Sequence, residues 1–328
     1  MSALVLAYHR VACVPADPQA LCVEPERFDE HLQVLRESFA PVPLRSIAEA
    51  VKAGRPPAGV TVTFDDGYAD NAHSAAPALE RVGIPATVFI ATGYIGGGRE
   101  FWWDELERLL LAPRPLPPAL QLRVRGRLRT WRLVAQAGTY ERRDWTVLAG
   151  RSPSPRHALY RSLCSLLKAS VPAERERLLL DLRGWAGTNG EVRATHRPLD
   201  TGEAGRLAES GLVEIGAHTV EHPALSALPA EAQQEEIVRS RRTLEELLGR
   251  RVTLFSYPFG VRRHLLRRDY TARTIRLVRD AGFEAACGTW GRSVGPRSSL
   301  FELPRIVVRN WHGDELERRL RSYLGTRG

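Results

Sequence analysis

Short apolar runs alternate with helical patterns along most of the chain, and this alternation is the strongest constraint on its fold. The strand-like runs are Leu4–Tyr8, Val60–Phe64, Ala86–Ala91, Val213–Gly216, Val252–Ser256 and Glu284–Cys287. The segments with helical apolar spacing are Arg27–Arg36, Leu44–Ala53, Asn71–Val82, Thr201–Ser210, Ala230–Leu248 and Thr271–Ala281. Strands that alternate with crossover helices run parallel, so this order predicts an α/β barrel or an open α/β sheet.

The middle of the chain departs from this rhythm. Leu120–Val134 has a two-residue alternation around a glycine, which predicts a β-hairpin. Two arginine-rich helical patterns follow it, near His157–Lys168 and Ala173–Trp185. These elements predict an inserted α+β cap or lid.

The length allows such a division. With 328 residues, 43% of them hydrophobic, the chain is long enough for one sizeable core or two small ones. We expect residues 1–112 and 198–328 to form the main α/β domain and residues 113–197 to form the inserted cap.

The net charge of +9 is carried almost wholly by arginine. A basic chain can bind nucleic acid, anionic lipid or phosphorylated ligands. The arginines are widely spread and no nucleic-acid-binding motif is present, so we predict no nucleic-acid partner. Arg123, Arg125, Arg127 and Arg129 leave open a peripheral contact with a membrane or a phosphate-bearing substrate. The sequence makes no prediction of oligomeric state.

The cysteines and the first residues bear on location. The four cysteines include no C-x-x-C pair, which is typical of reduced thiols. The start, MSALVLAYHR, has no basic leader region and is typical of a first strand. No apolar segment approaches the length of a transmembrane helix. We therefore expect a cytoplasmic protein.

Two aspartates follow the predicted strand Val60–Phe64 in the stretch TVTFDDGYADN. Side chains at the carboxyl ends of parallel strands lie at the edge where α/β folds hold their sites. Because Asp65 and Asp66 are consecutive, their carboxylates point in different directions, and Gly67 permits the tight turn that keeps both near. One carboxylate is thus able to bind a metal while the other faces a water molecule.

Two histidines follow the predicted strand Val213–Gly216 in the stretch IGAHTVEHP. Pro223 disfavours a helix through His218 and His222, so a loop is expected to bring both imidazoles to one side. Two histidines and one carboxylate suit zinc and also admit cobalt, nickel, manganese or iron. Such an ion activates water and polarises a carbonyl group, and the remaining aspartate accepts the proton. The residues predict metal-assisted hydrolysis.

Three motifs carry a resemblance to a known family. TFDDG (Thr63–Gly67), HTVEHP (His218–Pro223) and SYPFG (Ser256–Gly260) resemble, in this order, signature motifs of the polysaccharide deacetylases, carbohydrate esterase family 4. The resemblance covers residues 1–112 and 198–312. It implies a distorted (β/α) barrel of about seven parallel strands and metal-dependent hydrolysis of N-acetyl groups on amino sugars.

The resemblance also implies roles for single residues. Asp65 corresponds to the catalytic base, and Asp66, His218 and His222 correspond to the metal ligands. Tyr257 corresponds to a residue whose backbone N–H donates to the oxyanion of the tetrahedral intermediate.

Two positions depart from the family pattern. Ser256 stands where many members have an arginine that orients the base, and Arg305 is the candidate to reach the same carboxylate from another strand. The family's late L-x-x-H segment, which supplies the catalytic acid, is not matched around His312. The first strand reads L-A-Y-H from Leu6 to His9, which resembles the permuted poly-N-acetylglucosamine deacetylases. We therefore assign His9 as the acid and keep His312 as the alternative.

The resemblance implies an N-acylated amino sugar as substrate: a polysaccharide precursor, a lipid- or nucleotide-linked sugar, or a glycosylated metabolite. Trp102 and Trp103 follow a glycine-rich loop, and tryptophans stack on the apolar faces of sugar rings. Pro258 is a further substrate-binding candidate. The alternative role for a tryptophan is to anchor the inserted cap to the barrel.

Two other functions are open. A deformylase or another amide hydrolase on the same scaffold would use the same residues. A non-catalytic carbohydrate-binding protein is disfavoured, because a binding module has no need of a base beside the metal ligands.

Overall fold

The computed structural model describes residues 2–96, 98–133, 144–188, 190–261 and 269–325. Its strands are β1 (Leu4–Tyr8), β2 (Arg10–Val11), β3 (Cys22–Val23), β4 (Val60–Phe64), β5 (Ala86–Ile90), β6 (Ala119–Val124), β7 (Arg127–Arg132), β8 (Val213–Ala217), β9 (Leu254–Ser256), β10 (Ala285–Thr289) and β11 (Leu303–Val307). Its α-helices are α1 (Pro25–Ser38), α2 (Leu44–Lys52), α3 (Ala76–Val82), α4 (Trp102–Leu111), α5 (Pro155–Lys168), α6 (Pro172–Ala186), α7 (Thr201–Glu209), α8 (Ala230–Leu248), α9 (Ala272–Asp280) and α10 (Gly313–Leu324).

The chain divides into two compact units. Unit 1 comprises residues 1–13, 21–97 and 198–328, and unit 2 comprises residues 14–20 and 98–197. Unit 2 therefore includes α4, which lies within the segment that the sequence assigned to the main domain. Domain boundaries at 113 and 197 stay a prediction.

Unit 1 is built on a closed barrel of parallel strands. The strand order around the barrel is β1, β11, β10, β9, β8, β5 and β4. The predicted (β/α) barrel of about seven parallel strands is thereby confirmed. Each neighbouring pair is parallel, as expected when helices connect the strands.

The register of β1 explains how distant segments meet. Tyr8 of β1 pairs with Phe64 of β4, and Ala7 pairs with Val307 of β11. The carboxyl ends of these three strands therefore lie side by side, although they come from opposite ends of the chain.

The barrel strands are buried on both faces, and their side chains join two apolar clusters. All residues of β1, β4 and β5 are buried. Leu4 and Leu6 belong to a cluster with residues of α1, α3, α7, α8, α9 and α10. Val5, Phe89 and Leu254 belong to a second cluster, with residues of α2. This division follows from the opposite directions of successive strand side chains.

Unit 2 contains an antiparallel hairpin and three helices. β6 and β7 pair from Ala119↔Arg132 to Val124↔Arg127, over most of the predicted Leu120–Val134 hairpin. The helices α5 and α6 lie where the two arginine-rich patterns predicted them, and α4 was not predicted.

Ion pairs stabilise the inside of unit 2. Arg193 donates to both carboxylate oxygens of Glu100, at 3.0 Å each, and Arg183 donates to Glu105 at 2.5 and 2.8 Å. The two glutamates are 3% and 5% exposed, so each needs such a partner.

Within the described part of the chain, no helix has both the length and the apolar character needed to cross a membrane. The cytoplasmic location stays a prediction.

Candidate active site

The two aspartates lie at the carboxyl end of β4. Asp65 extends the pairing with β1 by donating its backbone N–H to the carbonyl of Tyr8 at 3.0 Å. Asp66 has a left-handed φ of 74°, and Gly67 follows with a φ of 86°. The positive φ favours glycine at this position, and a Cβ atom on Gly67 would lie 3.0 Å from the Ile90 side chain, which would have to shift slightly.

The two histidines lie in the loop after β8, and this loop also has unusual backbone angles. Thr219 has a φ of 67° and His222 a φ of 50°. The side chain of Thr219 accepts a hydrogen bond from the backbone N–H of His222 at 3.1 Å. The backbone N–H of His218 donates to the carbonyl of Ile90 at 3.0 Å, which joins the loop to β5.

Left-handed backbone is concentrated around this site. The described non-glycine residues with positive φ are Ala20, Asp66, Arg125, Thr219, His222 and Phe259. Four of these six follow β4, β8 or β9 at the carboxyl end of the barrel. Residues with a Cβ adopt this conformation at a cost of about 1–3 kcal/mol each, and such residues cluster at functional sites.

Asp66, His218 and His222 form a compact cluster. Asp66 Oδ1 lies 3.2 Å from Nε2 of His222 and 3.6 Å from Nε2 of His218. The candidate ligand atoms all lie within 4.8 Å of one another, and the three residues are buried. One carboxylate oxygen and two imidazole nitrogens at this spacing match the donor set expected for a divalent metal ion.

Two features of the cluster fit a metal ion. Among the residues that the structure describes, Asp66 Oδ1 is buried and has no hydrogen-bond donor. His218 donates its Nδ1–H to the carbonyl of Ser256 at 2.7 Å, so the lone pair of its Nε2 is free to face the cluster. An oxygen without a donor beside a correctly oriented imidazole is what a metal ligand set requires.

The ionisation of the cluster also favours a cation. Burial lowers the pKa of His218 to about 4, although the carboxylate of Asp65 acts in the opposite direction. Burial raises the pKa of Asp66, and the neighbouring His9 and His218 offset this only in part. A bound divalent cation would stabilise both the neutral imidazole and the ionised carboxylate.

Asp65 makes a different set of contacts. Arg305 of β11 donates from its two terminal nitrogens to the two oxygens of Asp65, at 2.7 and 2.6 Å. The same guanidinium donates to Thr63 Oγ1 at 3.1 Å and to Ser256 Oγ at 2.7 Å. The Arg305 side chain is completely buried, so these contacts hold Asp65 in one orientation.

The charge of Asp65 follows from this pairing. Burial by itself acts to raise its pKa, but Arg305, His218 and His9 more than offset the burial and hold the pKa of Asp65 well below its usual range. The carboxylate is therefore ionised at neutral pH, whereas burial raises the pKa of the adjacent Asp66.

The segment that contains His9 is fastened to the residues after the aspartates. Asn71 donates its side-chain N–H to the carbonyl of His9 at 2.9 Å. The carboxylate of Asp70 accepts from the side chain of Arg10 at 2.9 Å and from the backbone N–H of Val11 at 3.1 Å. The residues YADN that follow Gly67 thus hold the end of β1 in place.

His9 itself lies within the electrostatic field of the aspartates. Burial lowers the pKa of His9, while the carboxylates of Asp66 and Asp65 act to raise it. Its Nδ1 atom is buried and has no hydrogen-bond partner among the described residues. By contrast, the side chain of His312 is 63% exposed at the start of α10, with its Nδ1 3.9 Å from an oxygen of Glu30.

The oxyanion role of Tyr257 stays a prediction. Its backbone N–H donates to the carbonyl of Cys287 at 3.1 Å, which continues the pairing of β9 with β10. To donate to an oxyanion, this N–H would have to leave the carbonyl of Cys287 or be shared with it. The next residue, Pro258, is buried, and the ring of Phe259 lies 4.7 Å from that of His222. The substrate-binding role of Pro258 stays a prediction.

Trp102 and Trp103 lie in unit 2, at the start of α4. Each is 4% exposed, and Trp103 stacks on Phe101 with ring centroids 4.9 Å apart. Their rings therefore contribute to the packing of unit 2. The substrate-binding role proposed for them stays a prediction.

Other residues of the site were not recognised in the sequence. Thr63 and the hydroxyl of Ser256 both accept from Arg305, and the carbonyl of Ser256 also orients His218. Asn71 donates to the backbone carbonyl of His9, and Glu236 accepts from the backbone N–H groups of Val220 and Glu221. One indication of these roles was present in the sequence, since Thr63, Ser256 and Asn71 lie in or beside the motifs.

Comparison with known proteins identifies the family. The family model for polysaccharide deacetylases matches residues 52–113 and 183–286, which together make up just over half of the chain. These ranges contain Asp65, Asp66, His218 and His222. The chain belongs to the polysaccharide deacetylase family.

Individual relatives are more distant. The chain is 28% identical to YxkH of Bacillus subtilis (strain 168), which is named as a polysaccharide deacetylase, over 102 residues. The match includes 31% of this chain and 33% of YxkH, so the chain spans about a third of the length of that relative.

Solved structures share the fold over almost the whole chain. One is the Streptococcus pyogenes deacetylase PplD in complex with acetate, with a TM-score of 0.60 and 16% identity over 97% of this chain and 98% of that one. Another is IcaB from Ammonifex degensii, with a TM-score of 0.58 and 16% identity over 99% of this chain and 97% of that one. A third is the BpsB deacetylase domain from Bordetella bronchiseptica, with a TM-score of 0.52 and 17% identity over 94% of this chain and 96% of that one.

Proposed function

We propose that this chain is a metal-dependent carbohydrate N-deacetylase, which hydrolyses the acetamide of an amino sugar to acetate and a free amine. The observation that carries the proposal is the division of labour between two adjacent carboxylates. Asp66 lies 3.2 Å from Nε2 of His222 and 3.6 Å from that of His218, whereas Asp65 is bound separately by Arg305. Membership of the polysaccharide deacetylase family supports the same reaction.

Asp66, His218 and His222 are the residues that would hold the metal ion, with zinc the best match to this ligand set. When bound, such an ion polarises the amide carbonyl and makes a water molecule more acidic. Cobalt, nickel, manganese and iron suit the same ligands.

Asp65 is the proposed general base. Its carboxylate is ionised and is held by the two-point contact with Arg305 at 2.7 and 2.6 Å. In this role it accepts a proton from the attacking water, whose oxygen then forms the new bond to the carbonyl carbon. The fixed orientation from Arg305 favours a productive direction of attack.

His9 is the proposed general acid. When the C–N bond breaks, the amine nitrogen needs a proton to leave as a neutral amine. Burial lowers the pKa of His9, which makes an imidazolium at this position a readier proton donor. Asn71 and Asp70 hold the His9 segment beside the aspartates.

The proposed substrate is an N-acetylated amino sugar. Free, oligomeric, lipid-linked and nucleotide-linked forms all contain the reacting group, so the substrate class is the first quantity to test. Arg123, Arg125, Arg127 and Arg129, in the β6–β7 hairpin, leave a phosphate-bearing substrate among the candidates.

Mass spectrometry of a panel of N-acylated sugars tests the proposal. The protein is purified, loaded with zinc, and incubated with each form, with N-formyl analogues included and with a chelator in a parallel set. We expect loss of an acetyl group from one class of sugar, which the chelator abolishes and Asp65→Asn strongly slows. Loss of a formyl group alone would identify a different amide hydrolase, and an unchanged panel with zinc-loaded protein would contradict the proposed reaction.

A further inference from the structure

Four of the five backbone N–H groups in the loop from His218 to His222 donate hydrogen bonds to identified acceptors. The N–H of His218 donates to the carbonyl of Ile90 at 3.0 Å, and that of His222 donates to the side chain of Thr219 at 3.1 Å. Between these two residues, the N–H groups of Val220 and Glu221 both donate to the carboxylate of one residue outside the loop.

That residue is Glu236, on α8. Its Oε2 atom accepts from the N–H of Val220 at 2.8 Å and from the N–H of Glu221 at 2.9 Å. Glu236 is 9% exposed, so these are charge-assisted hydrogen bonds in a largely dry environment. The carboxylate caps the turn at the midpoint between the two histidines.

The opposite side of the turn is also in close contact with its surroundings. The N–H of Gly93 donates to the carbonyl of Val220 at 2.9 Å, and that of Thr92 donates to the carbonyl of Thr219 at 3.0 Å. A Cβ atom on Gly93 would lie 2.7 Å from a carboxylate oxygen of Glu221, so this side has no spare space. The turn is therefore held between the segment after β5 and Glu236.

The turn needs this support because its backbone is strained. Thr219 and His222 both have left-handed φ values, and each such residue costs about 1–3 kcal/mol unless its surroundings enforce the conformation. Loss of the Glu236 carboxylate would remove the acceptor of two N–H groups, of which that of Val220 is in a buried hydrogen bond and that of Glu221 in a partly buried one. The strained residues would then relax, and the spacing of the His218 and His222 imidazoles would change.

We propose that Glu236 is a positioning residue for the metal centre: it holds the His218–His222 loop in the conformation that binds the ion. This inference rests on the proposed function only in so far as Asp66, His218 and His222 bind a metal. It does not depend on the identity of the sugar.

Zinc affinity, measured by competition with a chromophoric chelator, tests the inference without any substrate. The variants are Glu236→Ala, which removes the acceptor, and Glu236→Gln, whose amide oxygen is able to accept the same two N–H groups. Glu235→Ala is the matched control, because Glu235 is the preceding residue of α8 and is exposed. Unfolding of the metal-free proteins in urea is measured in parallel.

We expect Glu236→Ala to weaken zinc binding about 10–100-fold, as loss of an outer hydrogen bond to a metal site commonly does. Glu236→Gln is expected to recover most of the affinity, and Glu235→Ala is expected to match the wild type. The absorption spectrum of the cobalt-loaded protein is expected to change in Glu236→Ala alone. If Glu236→Ala does not fold, Glu236→Asp, which retracts the carboxylate by one methylene, is expected to show an intermediate loss of affinity.

The possible results separate this inference from the proposed function. Equal zinc affinities and cobalt spectra for Glu236→Ala and Glu235→Ala would overturn the inference, even if Glu236→Ala unfolds at lower urea concentration. Failure of the wild type to bind zinc or cobalt would overturn the metal site and the inference together. Failure to deacetylate any sugar, with the predicted loss of zinc affinity in Glu236→Ala, would overturn the reaction alone.

Discussion

Arg305 and Asp65 form a two-point ion pair inside the barrel, with nitrogen–oxygen distances of 2.7 and 2.6 Å, although 240 positions separate them in the chain. The guanidinium comes from β11 and the carboxylate from the end of β4, with β1 lying between those strands. The position that often holds an arginine in the family is occupied by Ser256, whose hydroxyl accepts from the same guanidinium at 2.7 Å. A different strand thus provides the positive charge to the same place.

Replacement of Arg305 is expected to destabilise the protein strongly. Arg305→Met leaves the carboxylate of Asp65 buried without its counter-charge, which costs about 3–5 kcal/mol for a buried ion pair. Urea unfolding in the presence of a chelator measures the change in the free energy of unfolding. Arg242→Met is the control, because Arg242 is 78% exposed in its pair with Glu246. Equal unfolding free energies for the two variants would show that the pair contributes little.

The two aspartates are expected to differ when each is changed to its isosteric amide. Asp66→Asn removes a charged candidate ligand, so we expect the loss of tight zinc binding. Asp65→Asn leaves the three candidate ligands in place, so we expect near-normal zinc affinity and a fall in kcat of about 10²–10⁴-fold, the usual contribution of a general base. Zinc competition and turnover of the sugar found by mass spectrometry measure these effects. Comparable turnover in Asp65→Asn and the wild type would remove Asp65 from the role of base.

Asn71 is expected to affect turnover through His9. Asn71→Ala removes the donor to the His9 carbonyl, which is 2.9 Å away, and frees the end of β1 to shift. A small displacement of an acid is sufficient to lower kcat by about 10–100-fold. Zinc affinity should stay the same, since Asn71 contacts none of the three candidate ligands in the hydrogen bonds described. Asn310→Ala, at an exposed asparagine whose side chain accepts from the N–H of Glu24, is the control. Equal kcat values for Asn71→Ala and Asn310→Ala would contradict this role.

His31 is expected to make stability depend on pH. Its Nε2–H donates to the carbonyl of Trp311 at 2.8 Å, and its Nδ1 accepts from the hydroxyl of Tyr8 at 3.3 Å. Burial lowers the pKa of His31 from 6.5 to about 4, although the hydrogen bond to Trp311 acts in the opposite direction. Between these values the unfolded chain binds a proton that the folded protein does not. Above pH 6.5 His31 is neutral in both states and does not lower the free energy of unfolding. As the pH falls from 6.5 towards 4, proton binding favours the unfolded chain, so the free energy of unfolding decreases.

The measurement is urea unfolding in a chelator at several pH values between 7 and 4. Over the lower part of this range, the wild type is expected to lose about 1.4 kcal/mol per pH unit more than His31→Gln. His312→Gln removes a histidine whose side chain is 63% exposed, and it is expected to follow the wild type. Parallel curves for His31→Gln and the wild type would show that His31 does not account for the pH dependence.

The sequence predicted the barrel elements well where burial is periodic. Leu4–Tyr8, Val60–Phe64 and Ala230–Leu248 have the bounds expected from the sequence. The strands are short, largely apolar runs that are buried throughout, and the buried positions of the helix, which include Ile237 and Leu244, recur at helical spacing beside an exposed polar face. Such local patterns are visible without any knowledge of the tertiary contacts.

Elements with weaker local patterns were missed. Nearly every residue of α4 is buried, including Glu105 and Arg108, which form an ion pair. Because charged residues occupy buried positions, the sequence of α4 lacks the separate apolar and polar faces by which a helix is recognised. In α10 the buried residues are Gly313, Leu316 and Leu320 in an otherwise charged segment. For both helices the favourable environment comes from other parts of the chain.

The site shows the same division between local and tertiary information. The sequence by itself determined the alternating α/β class, the family motifs and the residue types able to bind a metal, because each depends on neighbouring residues in the chain. The tertiary structure alone decided that Arg305 contacts Asp65, that the N–H of Tyr257 is used in the sheet, and that Glu236 caps the histidine loop. The physical reason is that hydrogen bonds and ion pairs depend on distance in space, which strand order and register determine and which separation along the chain does not reveal.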